Sequence, residues 1–155
     1  MNNTPLIVNR PQLTYAAARL ALDAAVAEAE RIGGAFNVAV ADTGGVLLAF
    51  ARMDGAFAES GAIARDKAWT VASFAGLPSR ALYEAIEAEP AVRDGIGGRD
   101  RVAAFGGGVP IRIDGALAGA VGASGGSAAQ DEQVAQAGAD AVIAAYESVA
   151  KEGRS

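Results

Sequence analysis

The stretch from Phe105 to Glu132 constrains this chain more than any other, because it specifies a hairpin and a helix start in consecutive residues. Val109, Ile111 and Ile113 alternate with Pro110 and Arg112, which is the period of a half-buried strand. Asp114-Gly115 is the dipeptide favoured in a two-residue type I′ turn, whose central residues both need positive φ. Leu117, Gly119, Val121 and Ala123 then run back along one face, so the two strands are antiparallel. Ser127 and Gln130 have the spacing of a capping box, and Asp131 and Glu132 fall in the first turn of the helix it opens.

Gly106-Gly107-Gly108 before the hairpin and Gly125-Gly126 after it exceed what a hairpin needs. Glycine marks positive φ or a close approach of backbone to something else. Both runs lie at the end of the hairpin opposite the turn. Either their amides converge on one ligand, or they are plain loop glycines in a chain rich in Gly and Ala.

Composition removes several function classes. The 155 residues carry a formal charge of −5, which argues against nucleic acid or an anionic membrane surface as partner. No apolar run approaches the roughly 20 residues of a transmembrane helix. The N-terminus lacks the basic region and apolar core of a signal peptide, so a cytoplasmic domain is expected. There is neither cysteine nor histidine. Disulfides, thiolate sites, cysteine nucleophiles and the usual general base and zinc ligand are therefore gone, and no metal site is expected.

Residues 1–12 read as a loose arm broken by Pro5 and Pro11. Thr14 caps a predicted helix to about Ile32, with Ala17, Leu20, Ala21, Ala24 and Ala27 on its inward stripe. Asn37–Ala41 and Val46–Arg52 are predicted strands around an Asp42-Thr-Gly-Gly45 turn. A helix follows from about Glu59 to Phe74, and Ser79 caps a short one through Glu87. Residues 89–100 read as an irregular lid or connector, and Arg101–Phe105 as one more short strand. The last helix runs from Ala128 to about Ala150, with Val134, Ala137, Ala141, Val142, Ala145 and Val149 inward, and the tail from Lys151 to Ser155 frays. The expected product is a single α+β domain: an antiparallel sheet of about five strands with flanking helices in two or three layers.

The glycine runs are not a P-loop, since no Gly-Lys-Ser/Thr follows, and Ser124 has neither a histidine nor a Ser-x-x-Lys lysine to activate it. Arg52 closes a strand and Asp54 follows it into a loop, near Arg65 and Lys67 in sequence. Lys67 sits on a helix face that otherwise looks inward. Either it snorkels to the edge, or its ammonium lines a pocket as a cation for an acidic substrate or as a proton carrier with depressed pKa. Trp69 and Phe74 on the same helix wall an apolar ligand or simply pack.

Three blocks carry a family resemblance. They are Gly107 to Asp131, Ala41-Asp-Thr-Gly-Gly-Val with Arg52-Met-Asp-Gly-Ala56, and Ile63-Ala-Arg-Asp-Lys-Ala-Trp-Thr-Val-Ala-Ser-Phe74. In order and register they resemble the GlcG/HbpS family, the haem-degrading domain or DUF336, which also forms the C-terminal part of PduO-type proteins. The resemblance spans roughly residues 13 to 148. It implies a profilin-like domain, commonly a homo-oligomer, in which some members bind haem. It also implies a ligand region comprising Lys67, the Gly107-Gly108 loop and the Ser124-Gly125 loop.

The expected function is a small catabolic enzyme acting on an acidic organic molecule by cofactor-free proton transfer, of isomerase, tautomerase or lyase type. Lys67, Asp131 and Asp54 form the candidate catalytic set, with Asp42 and Glu132 as further candidate bases. Arg52, Gly107, Gly108, Ser124, Gly125, Trp69 and Phe74 are the candidate ligand contacts. The alternative is a haem- or tetrapyrrole-binding protein that senses, stores or degrades its ligand. No cofactor is required by the first reading. In the second, with histidine and cysteine missing, Met53, Tyr15, Tyr83 and Tyr146 are the remaining iron ligands.

Overall fold

The computed structural model describes residues 4–153. Its four strands are β1 (Asn37–Ala41), β2 (Leu47–Arg52), β3 (Gly108–Ile113) and β4 (Ala116–Ser124). They form one antiparallel sheet in the order β2-β1-β4-β3. The helices are α1 (Tyr15–Arg31), α2 (Ala58–Ser73), α3 (Ser79–Ile86), α4 (Pro90–Gly97) and α5 (Ala128–Glu152).

Alternation along the central strands divides the core in two. Val38 and Val40 of β1, with Val121 and Ala123 of β4, Val109 and Ile111, face α1 and α5. Ala39, Ala41 and Ala120 face the other way, against Ala64, Ala68 and Val71 of α2. The α2 face is built almost entirely from alanine, so helix and sheet backbones approach closely. The architecture is the expected profilin-like α+β arrangement, in three layers.

Local signals act as their chemistry requires. Thr14 Oγ1 accepts from Ala17 N, and a cap of this kind is worth about 1 kcal/mol. Both arms of the Ser127/Gln130 capping box are present. Asp114 and Gly115 both have positive φ, +50° and +82°, as a type I′ turn demands.

Four expectations are corrected. The sheet has four strands, not five: Arg101–Phe105 is not a strand, because Ala103 N donates to the Thr70 hydroxyl and Val102 N closes a turn on Arg99 O. Residues 90–97 are helical, opened by Pro90 in the first turn, where its missing N–H costs nothing. Ser79 is not a cap, since Pro78 takes that position. The inward stripes are rotated: α1 buries Ala18, Ala21, Leu22, Ala25 and Ala29, and α5 buries Val134, Ala135, Gly138, Ala139 and Val142, while Leu20, Ala145 and Val149 face outward. The tail keeps Lys151 and Glu152 in α5, and its last two residues, like residues 1–3 of the arm, lie outside the described residues.

Candidate functional site

Lys67 is the most unusual residue of the core. It sits on the sheet-facing side of α2 and is fully buried. Its ammonium donates to Asp131 Oδ2 at 2.6 Å and to the Ala123 carbonyl at 3.0 Å. The Phe105 ring lies over it, 4.5 Å from Nζ to the ring centroid. Asp131, in the first turn of α5, is itself buried, and its other oxygen accepts the amides of Gly125 and Gly126 at 3.0 and 2.9 Å. Each charged atom thus has a partner, as a charge removed from water requires. Burial pushes the Lys67 ammonium below its usual pKa, and Asp131 opposes that shift by hydrogen bond and charge.

The glycine loops complete this arrangement. Gly107 has φ +124°, and a Cβ there would lie 2.6 Å from Lys67 Nζ and 2.7 Å from the Ala123 carbonyl. Only glycine lets the backbone pass the buried pair in that conformation. Gly108 N donates to Ser79 Oγ at 2.9 Å, and that hydroxyl also donates to the Phe105 carbonyl at 2.6 Å. Ser79 therefore ties the Phe105 loop down over Lys67.

Lys67, Asp131, Gly107, Gly108, Ser124 and Gly125 are thus brought into one neighbourhood, with Ser124 buried at the end of β4 opposite Asn37. The Lys67 ammonium neither snorkels nor reaches solvent. Arg52 and Asp54 lie elsewhere, on a cavity of about 390 Å³ shared with Met53 and Glu30, and Arg52 Nε donates to the Ala56 carbonyl. Trp69 faces a different opening, beside Arg65 and Arg101, and Phe74 is the half-buried C-cap of α2. Glu132 is bound to Arg80 at 3.2 Å, on the rim of an opening of about 570 Å³. Asp42 accepts the amides of Gly44 and Val46.

Phe105, Ser79 and Arg101 were not among the candidate site residues read from the sequence. Phe105 heads the glycine run, and that position is the one signal pointing to it. Ser79 looked like a cap because Ser before a helical pattern usually is one.

A groove of about 450 Å³ opens between α1, α5 and the arm, walled by Leu13, Leu20, Ile113, Val142 and Val149. Tyr146 stands on it, and its phenol donates to Asp114 Oδ2 at 3.0 Å. The other oxygen and sulfur donors are placed differently. Tyr15 and Tyr83 are exposed and do not line that groove, and the Met53 sulfur accepts the Phe36 amide at 3.4 Å. Among the described residues no cluster of three or more His, Cys, Asp or Glu could hold a metal ion, and no helix is long and apolar enough to cross a membrane.

Comparison with known proteins bears on the fold and the family. A family described as haem degrading protein, HbpS-like, matches residues 13–140. Klebsiella pneumoniae protein ORFY is 32% identical with a TM-score of 0.79, covering 92% of this chain and 96% of its own. A doubly substituted HbpS of Streptomyces reticuli is 32% identical with a TM-score of 0.77, covering 90% and 93%. PduOC in complex with haem is 29% identical with a TM-score of 0.77, covering 84% and 94%.

Proposed function

The chain belongs to the HbpS-like family of haem-degrading proteins, and from that premise we propose that it binds a tetrapyrrole rather than catalysing cofactor-free proton transfer. The observation that carries this reading is the groove between α1 and α5. It combines apolar walls, a volume in the range of small-molecule sites, and one oxygen donor with a carboxylate partner. The donor set fits the group: a tyrosine oxygen is an accepted haem ligand, and Asp114 holds the Tyr146 proton in a hydrogen bond, which favours electron density on the oxygen. In this reading Leu13, Leu20, Ile113, Val142 and Val149 would hold the macrocycle by contact, and Tyr146 would supply an oxygen donor for its iron. The bound group would supply the redox chemistry. The chain supplies shape, exclusion of water and the donor.

The same reading makes the Lys67–Asp131 pair a pin that joins α2, β4 and α5, not a catalytic dyad. Both Asp131 oxygens and the Lys67 ammonium are engaged by protein partners, which supports a structural role for the pair over that of a base or a substrate cation. Self-association belongs to the proposal too. The edge strand β2 carries exposed Leu47 and Phe50, with Val46 and Phe57 exposed beside it.

The experiment is a haem titration of apoprotein by absorbance, beside Leu20→Glu. Leu20 is 40% exposed, so the substitution is tolerated by the fold while placing a charge on the groove wall. A saturable Soret shift in the wild type, weakened about tenfold or more in the variant, supports the reading. Equal titration of both proteins, or no saturation in either, overturns it.

A further inference from the structure

A second opening, of about 480 Å³, shares no lining residue with the α1–α5 groove and none with the Lys67 pair. Arg65, Trp69 and Arg101 line it, together with the Gly44-Gly45 backbone. Two guanidinium groups on one opening are notable in a chain with 18 acidic and 13 basic residues. Arg65 makes no ion pair among the described residues; its Nε donates to the Gly61 carbonyl at 3.3 Å, and its guanidinium lies over the Phe50 ring, 5.9 Å from Cζ to the centroid. Arg101 likewise engages only Nε, with Asp66 at 3.3 Å. The terminal nitrogens of both forks are left as donors, and a planar guanidinium fork is the group that pairs with a carboxylate.

The indole on the same opening is held in place. Arg101 Cζ lies 4.9 Å from the Trp69 ring centroid. Gly45, at φ +80°, packs so close that a Cβ would come within 2.7 Å of the indole Cδ1. Arg101 has φ +69°, a conformation that costs a non-glycine residue of order 1 kcal/mol or more. The Thr70 hydroxyl holds it there, donating to the Arg101 carbonyl at 3.1 Å. Arg65 and Arg101 are exposed, so core packing does not require this arrangement.

We propose that this opening binds a flat organic carboxylate, with the carboxylate between Arg65 and Arg101 and its aromatic or conjugated ring against Trp69. The inference stands apart from the tetrapyrrole reading, because its readout needs no haem. Trp69 is the single tryptophan of the chain, so its emission reports this site alone.

The test titrates benzoate into apoprotein and follows indole emission and heat, with inorganic phosphate and cyclohexanecarboxylate as comparison probes. Arg65→Gln and Arg101→Gln are titrated in parallel, with melting curves and sedimentation on each. The expected result is a saturable response to benzoate, stronger than to either comparison probe, and weakened about tenfold or more in each variant. Arg101→Lys does not restore it, because an ammonium lacks the planar fork. Absence of saturation at millimolar benzoate overturns the proposal, as does an equal response to inorganic phosphate. So does an unchanged affinity in both variants. A change of oligomeric state in the variants, with no benzoate response in the wild type, overturns it in favour of contact between copies of this chain.

Discussion

Asp131→Asn is the sharpest perturbation of the buried pair. It keeps an Oδ1 acceptor for the Gly125 and Gly126 amides, and replaces the oxygen 2.6 Å from Lys67 Nζ by an amide nitrogen. The ammonium, fully buried, is left with the Ala123 carbonyl and the Phe105 ring. Removing one partner of a buried ion pair costs about 3–5 kcal/mol. At about 2–4 °C per kcal/mol for a domain of this size, the melting temperature falls by roughly 6–20 °C. That loss is a large share of the 5–15 kcal/mol typical of whole domains. Lys67→Met strands the Asp131 carboxylate instead and falls by a similar amount. The double variant Lys67→Met with Asp131→Asn removes both charges while keeping the amide acceptor, and recovers to within about 2 kcal/mol of the wild type. Urea unfolding measures all four proteins, with an unchanged m-value as the sign that only stability moved. The reasoning is refuted if Asp131→Asn melts within about 2 °C of the wild type, or if the two single losses simply add in the double variant.

Three further outcomes follow from the structure. Glu28 accepts both arms of Arg31 at 2.7 Å and an amide hydrogen of Gln133 on α5, which lowers its pKa from 4.5 to about 2. A lowered carboxyl pKa gives stability that is present above the unfolded value and lost as pH falls through the window from about 4.5 to about 2. Urea midpoints across that window decline less steeply for Glu28→Gln than for the wild type. Ala75 ends α2 in the left-handed conformation at φ +55°, with Gly76 N closing on the Val71 carbonyl, so Ala75→Gly raises stability by about 1 kcal/mol, read from the melting temperature. Gly107→Ala places a methyl group 2.6 Å from Lys67 Nζ at φ +124°, and loses about 3 kcal/mol or more in the same assay.

Most of the fold is legible because its signals are local. The Asp114-Gly115 turn, the Ser127/Gln130 box and the Thr14 cap each satisfy backbone groups within four residues, and all three act as read. What escapes reading depends on partners far along the chain. Arg101–Phe105 has strand-like residues, yet its amides bond to Thr70 and to its own turn, some thirty residues of context away. Residues 90–97 looked irregular because Gly95 and Gly97 lower helix propensity, while Pro90 in the first turn signalled the opposite. The stripes of α1 and α5 are poorly specified because alanine fills both their inner and outer faces. Lys67 and Asp131 were both singled out, but they are 64 residues apart, and no spacing rule joins them. The groove on which the tetrapyrrole reading rests needs three segments in place before it exists, so of its residues only Tyr146 was named as a ligand candidate, the others being read as a cap, a strand or helix packing.

The measurement that bears most directly on that reading is a stoichiometric absorbance titration of haem into wild-type apoprotein and Tyr146→Phe. Tyr146 is exposed, and phenylalanine keeps its ring while removing the oxygen that faces Asp114. The account predicts one haem per groove in the wild type and, in the variant, a changed Soret spectrum with weaker binding. Identical spectra and affinities for the two proteins would contradict it.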